Sequence, residues 1–84
     1  MTYPQQVEAL ILDRGGLYLS PAEFQLVEDW EALDIPLSII VRGVDEKLGR
    51  MRKQQSRARL RLCWCHDDIQ RVYQDWRRAL GPRA

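Results

Sequence analysis

The densest run of reactive side chains in the chain is Cys63-Trp64-Cys65-His66-Asp67-Asp68. Thiols, imidazole and carboxylates are the donors that zinc takes, and a thiol beside an imidazole is the pairing an activated nucleophile needs. The spacing argues against both. Positions two apart lie on opposite faces of a strand, or about 200° apart on a helix, so Cys63 and Cys65 close no easy disulfide. A Cys-x-Cys-His clip lacks a fourth ligand, because the chain has one histidine and two cysteines. Asp67 or Asp68 completes such a site only with unusual geometry. Neither a metal nor any other cofactor is expected. Cys65 and His66 also make a poor catalytic pair, since neighbours in sequence seldom converge on one substrate atom. With no glycine-rich phosphate loop and no paired carboxylates in an evident cleft, the chain reads as non-enzymatic and without a small-molecule substrate. Reduced thiols, at least one packed as a small hydrophobe, are the expectation.

The second chemistry is electrostatic. Lys47, Arg50, Arg52, Lys53, Arg57, Arg59 and Arg61 occupy one stretch without an acid, interspersed with Gln54, Gln55 and Ser56, and Trp64 follows closely. Cations in such a run neutralise phosphates, and an indole beside them can stack on an unpaired base. These eight residues are the candidate contacts to single- or double-stranded DNA. The plainer reading of the same run is a solvated connector that balances acidic helices. Formal charge is +1 for the whole chain. Residues 1–41, however, carry one base and seven acids, a net of −6, while residues 42–84 carry twelve bases and five acids, a net of +7. That division points to a polyanion, to a protein partner or to head-to-tail self-association.

The elements that must position these groups are helical. Ser20-Pro21-Ala22-Glu23 is the clearest start: Ser20 accepts from a first-turn amide, Pro21 sits where a missing N–H costs nothing, and Glu23 completes a capping box. Helices are predicted over residues 4–14, 21–33, 36–53 and 66–80. The expected inward stripes are Val7, Leu10 and Ile11; Phe24, Val27, Trp30 and Leu33; Leu37, Ile40, Val41, Val44 and Leu48; and Ile69, Val72, Tyr73, Trp76 and Leu80. Glu23, Glu28, Asp29 and Glu31 are expected to stay solvated, and Tyr3, Tyr18 and Trp64 to offer exposed aromatic surface. Leu19 precedes the Ser20 cap and is placed to staple onto Phe24. Gly15-Gly16 and Gly81-Pro82 read as helix stops, Gly43 as a close approach between helices, and Gly49 as a point of fraying. Past Lys47 the third helix either continues as a polar helix or opens into a mobile basic loop. The alternation Leu60-Arg61-Leu62-Cys63-Trp64 predicts a short extended piece with Leu60 and Leu62 on the core. Asp67 and Asp68 suit the positive end of the last helix.

Length allows one domain, residues 1–84, of the all-α class: a compact bundle of about four helices with a basic connector before the last. A chain this short is expected to be marginally stable unless a partner adds buried area. No apolar run reaches the roughly 18 residues of a membrane span, and no basic-then-apolar leader opens the chain. The expected location is cytoplasmic, without membrane contact.

The order of these features resembles the C-terminal domain of the bacterial replication-initiation protein DnaD and its primosome and phage relatives. The resemblance covers about residues 8–78. It rests on a Gly-x-x-Leu-Ser-Pro-x-Glu start, a helix ending in Trp30, an Ile-Pro break, an aliphatic third helix, a basic connector, and Ile69, Val72, Tyr73 and Trp76 in the last helix. Stepping back from Trp76 in fours, the family's isoleucine and tyrosine positions hold Val72 and Asp68. The resemblance implies an all-helical fold, contact with single- and double-stranded DNA and with replication partners, and participation of the final helix. A protein-interaction adaptor, or a small subunit of a larger assembly without nucleic-acid contact, is the alternative reading.

Overall fold

The computed structural model describes residues 1–80. Within them the chain forms four α-helices: α1 (Tyr3–Asp13), α2 (Pro21–Ala32), α3 (Leu37–Lys53) and α4 (His66–Leu80). A 3-10 turn, Leu62–Cys65, leads directly into α4. No strand occurs among the described residues. The all-α bundle expected from the helical stripes is therefore the observed fold. The Gly81-Pro82 stop lies outside the described residues.

Two of the helix starts are built alike. Ser20 accepts from the Glu23 amide at 3.2 Å while the Glu23 carboxylate accepts from the Ser20 amide at 2.8 Å. Thr2 and Gln5 make the same reciprocal pair at the head of α1, a capping box the sequence reading passed over. The helix ends are also alike. After α1, Gly15 adopts φ +77 and the Gly16 amide reaches back to the Ile11 carbonyl at 2.9 Å, a Schellman stop. The same pair of bonds closes α2 through Asp34 (φ 56) and α3 through Gln55 (φ 55), where no glycine announces it.

The core runs through all four helices and the 3-10 turn: Val7, Ile11, Val27, Trp30, Ile35, Ile39, Ile40, Val44, Met51, Leu60, Leu62, Cys65, Ile69, Val72 and Tyr73 are buried. Helices α3 and α4 make the most extensive pairing, and Gly43 permits it. A Cβ there would lie 2.5 Å from Ile69 Cγ1 and 2.7 Å from the Ile69 Cα, so the two backbones meet where only hydrogen fits. At Gly49, by contrast, a Cβ would meet nothing, and the helix runs through that position without fraying.

Several expectations need correction. Leu33 follows the end of α2 and is 55% exposed, because the chain turns away at Asp34 and Ile35 fills the core position instead. Leu10, Phe24, Leu37, Val41, Leu48 and Trp76 are half-buried at the margin of the core, and Leu80 is exposed. On α3 the buried face includes Ile39 and Met51, a rotation of the expected stripe toward α4. Tyr3 is no exposed aromatic: its hydroxyl donates to the Ile35 carbonyl at 2.9 Å, and burial, with Glu31 nearby, pushes its pKa up to about 12. Leu60 and Leu62 are buried as foreseen, but from Leu62 the backbone closes into the 3-10 turn in place of an extended piece.

Candidate nucleic-acid interface

The seven bases of the acid-free stretch are divided by the fold. Lys47, Arg50, Arg52 and Lys53 ride on α3, which continues as a helix to Lys53. Arg57, Arg59 and Arg61 lie on the connector that follows. Helical spacing sends Arg50 toward α4, and its guanidinium grips the Asp68 carboxylate with both nitrogens, at 2.5 and 2.6 Å. Asp68 is only 2% exposed and accepts a third bond from Arg71, which also pairs with Glu46 at 3.3 Å. Arg50's hydrogen bonds hold the Asp68 carboxyl below its usual range against the opposing effect of burial, with the charges of Arg71 and Lys47 assisting. Such a bidentate pair is among the stronger polar contacts a protein makes.

Arg59 is bound by another part of the chain, and Arg61 more loosely. Arg59 donates to the Gly15 and Gly16 carbonyls at 3.3 and 3.0 Å, while the Leu17 amide donates to the Leu60 carbonyl. The connector is thereby stitched to the turn between α1 and α2. Arg61 approaches Glu23 at 3.9 Å. Glu23 itself overturns the expectation that it stays solvated. It is 3% exposed and, besides capping α2, accepts from the Cys63 amide at 2.9 Å across a separation of 40 residues. Burial alone would push its carboxyl up, but the hydrogen bonds from Ser20 and Cys63 outweigh that and hold it below the usual carboxylate range.

What remains outward is a smaller set. Arg52, Lys53 and Arg57 are exposed, and none makes a hydrogen bond or ion pair within the described residues. They surround the turn that ends α3, where positive side chains also suit the exposed carbonyls of the helix end. Trp64 is 42% exposed at the outer corner of the 3-10 turn, whose position is set by the Glu23–Cys63 bond. Lys47 is half-buried and adds its charge to the field around Asp68.

The Cys-His run carries no reactive arrangement. Cys63 and Cys65 are free thiols; Cys63 is exposed and Cys65 is fully buried. The Cys65 thiol lies 3.6 Å from the Arg61 carbonyl, and burial, with Asp68 close by, pushes its pKa up to about 12. His66 stacks on Trp30, ring centres 6.2 Å apart. No group of three or more His, Cys, Asp or Glu side chains among the described residues is arranged to hold a metal ion.

Glu23 and Asp68 are the two residues that organise this surface and that sequence reasoning missed as such. Asp68 did carry a signal: it lies three residues after Cys65 and four before Val72, on the apolar stripe of α4, where a carboxylate is tolerated only with a partner. Glu23 carried none beyond its capping role, which it also performs.

Together these features define a small all-α bundle whose basic connector is pinned at both ends and left open at the tip. The chain belongs to the family whose model, described as "Uncharacterised protein", matches residues 2–83. No curated protein and no solved structure matches it. No helix among the described residues is long and apolar enough to cross a membrane.

Proposed function

We propose that the chain is a small, non-enzymatic, cytoplasmic module that binds nucleic acid, as the DnaD-like order of motifs implies, and that it does so through the turn at the end of α3. The observation that carries this reading is the set Arg52, Lys53 and Arg57: three exposed cations without an acid among them and without a side-chain partner among the described residues. Trp64, presented on the neighbouring connector, supplies an aromatic face for an unpaired base. Arg50, Arg59 and Arg61 serve the site indirectly: Arg50 fixes α3 to α4, and Arg59 and Arg61 tie the connector to the α1–α2 turn and to Glu23. A non-catalytic role is supported by the Cys65 thiol, which burial keeps protonated beside His66.

Fluorescence anisotropy with a labelled single-stranded oligonucleotide tests the reading. Phosphate contacts release counterions, so affinity should fall steeply between about 50 and 200 mM salt. Trp64→Ala should weaken single-strand binding by about 1–3 kcal/mol if the indole stacks on a base. A wild-type chain that binds neither single- nor double-stranded DNA at about 50 mM salt would exclude the reading. That result would favour a protein-interaction adaptor, for which Leu33, exposed among the acids that end α2, is the supporting observation.

A further inference from the structure

The acids of the first half of the chain collect at one place. Glu28, Asp29 and Glu31 are exposed on the last turns of α2, and Asp34 is exposed just past its end. This is the negative end of the helix dipole, and α2 has no base in its last turn to offset them. Asp29 accepts one bond from the Gln25 side chain, and no ion pair reaches any of the four among the described residues. Leu33 stands among them, more than half exposed.

The complementary surface lies at the far end of the next helix. Asp34 immediately precedes α3, whereas Arg52 and Lys53 end it and Arg57 follows. Seventeen helical residues, about 25 Å, separate the two ends, so the acids of one chain cannot reach its own basic turn. At physiological ionic strength that distance exceeds the Debye length of about 8 Å several times over. Each end is thus a charged surface that makes no ion pair among the described residues, and each carries the sign the other lacks.

We propose that the acidic end of α2 docks onto the basic turn of a second copy, head to tail, with Leu33 as the apolar centre of the contact. Such a contact joins two different surfaces, so it repeats into rings or open chains. It goes beyond the nucleic-acid reading and is measured without nucleic acid, so either can fail alone. Because both use Arg52, Lys53 and Arg57, a bound polyanion would displace the second copy.

Sedimentation velocity on the full chain, without nucleic acid, tests this. At about 20 mM salt the weight-average mass should rise with concentration to at least about twice the 9.9 kDa of one chain, and return to it at about 300 mM. A chain carrying Glu28→Lys and Glu31→Lys, and another carrying Arg52→Glu, Lys53→Glu and Arg57→Glu, should each stay at the mass of one chain. Their mixture should associate, because the intact pole of each meets the intact pole of the other. Should either charge-reversed chain fail to fold by circular dichroism, the glutamine versions replace it and the wild-type association should weaken at least tenfold. A wild type that stays at 9.9 kDa at every concentration in low salt overturns the proposal. So do reversed chains that self-associate like the wild type, a mixture that does not associate, or glutamine versions that associate unchanged.

Discussion

Arg50 and Arg52 are two residues apart on one helix and belong to different worlds. Arg50, Arg59 and Arg61 are engaged within the chain, by Asp68, by the Gly15 and Gly16 carbonyls and by Glu23 in turn. Arg52, with Lys53 and Arg57, is exposed, and no side chain among the described residues engages the three. In sequence the seven bases form one uniform run. In the structure the engaged set ties α3 to α4 and the connector to the first half of the chain, and the unengaged set is what the turn at the end of α3 presents. A charge run therefore overstates the surface available to a partner, because it does not distinguish cations already paired from those still hydrated.

The largest expected effect comes from removing the acceptor that ties the 3-10 turn and Arg61 to α2. Glu23→Ala takes away the α2 cap, the Cys63 anchor and the Arg61 partner together, and should cost about 3 kcal/mol in a denaturant melt. A loss below about 1 kcal/mol would mean that the tie to Cys63 contributes little beyond an ordinary cap. Asp68→Asn keeps the shape of the side chain but halves its ability to accept from Arg50 and Arg71, and should cost about 2 kcal/mol.

Acid titration examines both carboxylates at once. Hydrogen bonds from Ser20 and Cys63 hold Glu23 below its usual range, and those from Arg50, with neighbouring guanidinium groups, do the same for Asp68. Their stabilisation is complete above the unfolded carboxylate range near about 4 and is lost as the pH falls through the lower folded values. The chain should therefore lose stability below about pH 4, and Asp68→Asn should flatten that decline. An unchanged acid limb in that variant would mean that Asp68 does not titrate with folding.

A smaller effect of opposite sign lies at the tip. Gln55 holds φ 55, so Gln55→Gly should raise stability by about 0.5–1 kcal/mol without disturbing either set of bases. A destabilised variant would show that the Gln55 side chain, not the backbone turn, matters there.

Local chemistry was legible in the sequence. The Ser20–Glu23 box, the Gly15 stop and the close approach at Gly43 all depend on a few neighbouring residues or on one glycine in an apolar stripe, and all are present. What reaches across the chain was not legible. Glu23 meets Cys63 at a separation of 40 residues and Arg50 meets Asp68 at 18, and helical periodicity assigns a face without naming the partner on it. The stops at Asp34 and Gln55 escaped notice for a different reason: left-handed backbone is announced by glycine and can be borne by a polar residue. Trp76 sat at a core spacing yet is half-buried, stacked on Tyr73 at the margin of the core.

The division of the bases is tested most directly by two triple variants measured side by side. Arg52→Gln with Lys53→Gln and Arg57→Gln should leave the unfolding free energy within about 0.5 kcal/mol of wild type. The same variant should shallow the salt dependence of single-strand binding by roughly 0.7 per lost contact. Arg50→Gln with Arg59→Gln and Arg61→Gln should lower the melting midpoint and, measured where the chain is still folded, leave that salt slope unchanged. The account is contradicted if the second variant melts like wild type and shallows the slope as much as the first, since its three guanidinium groups would then be surface cations like the rest.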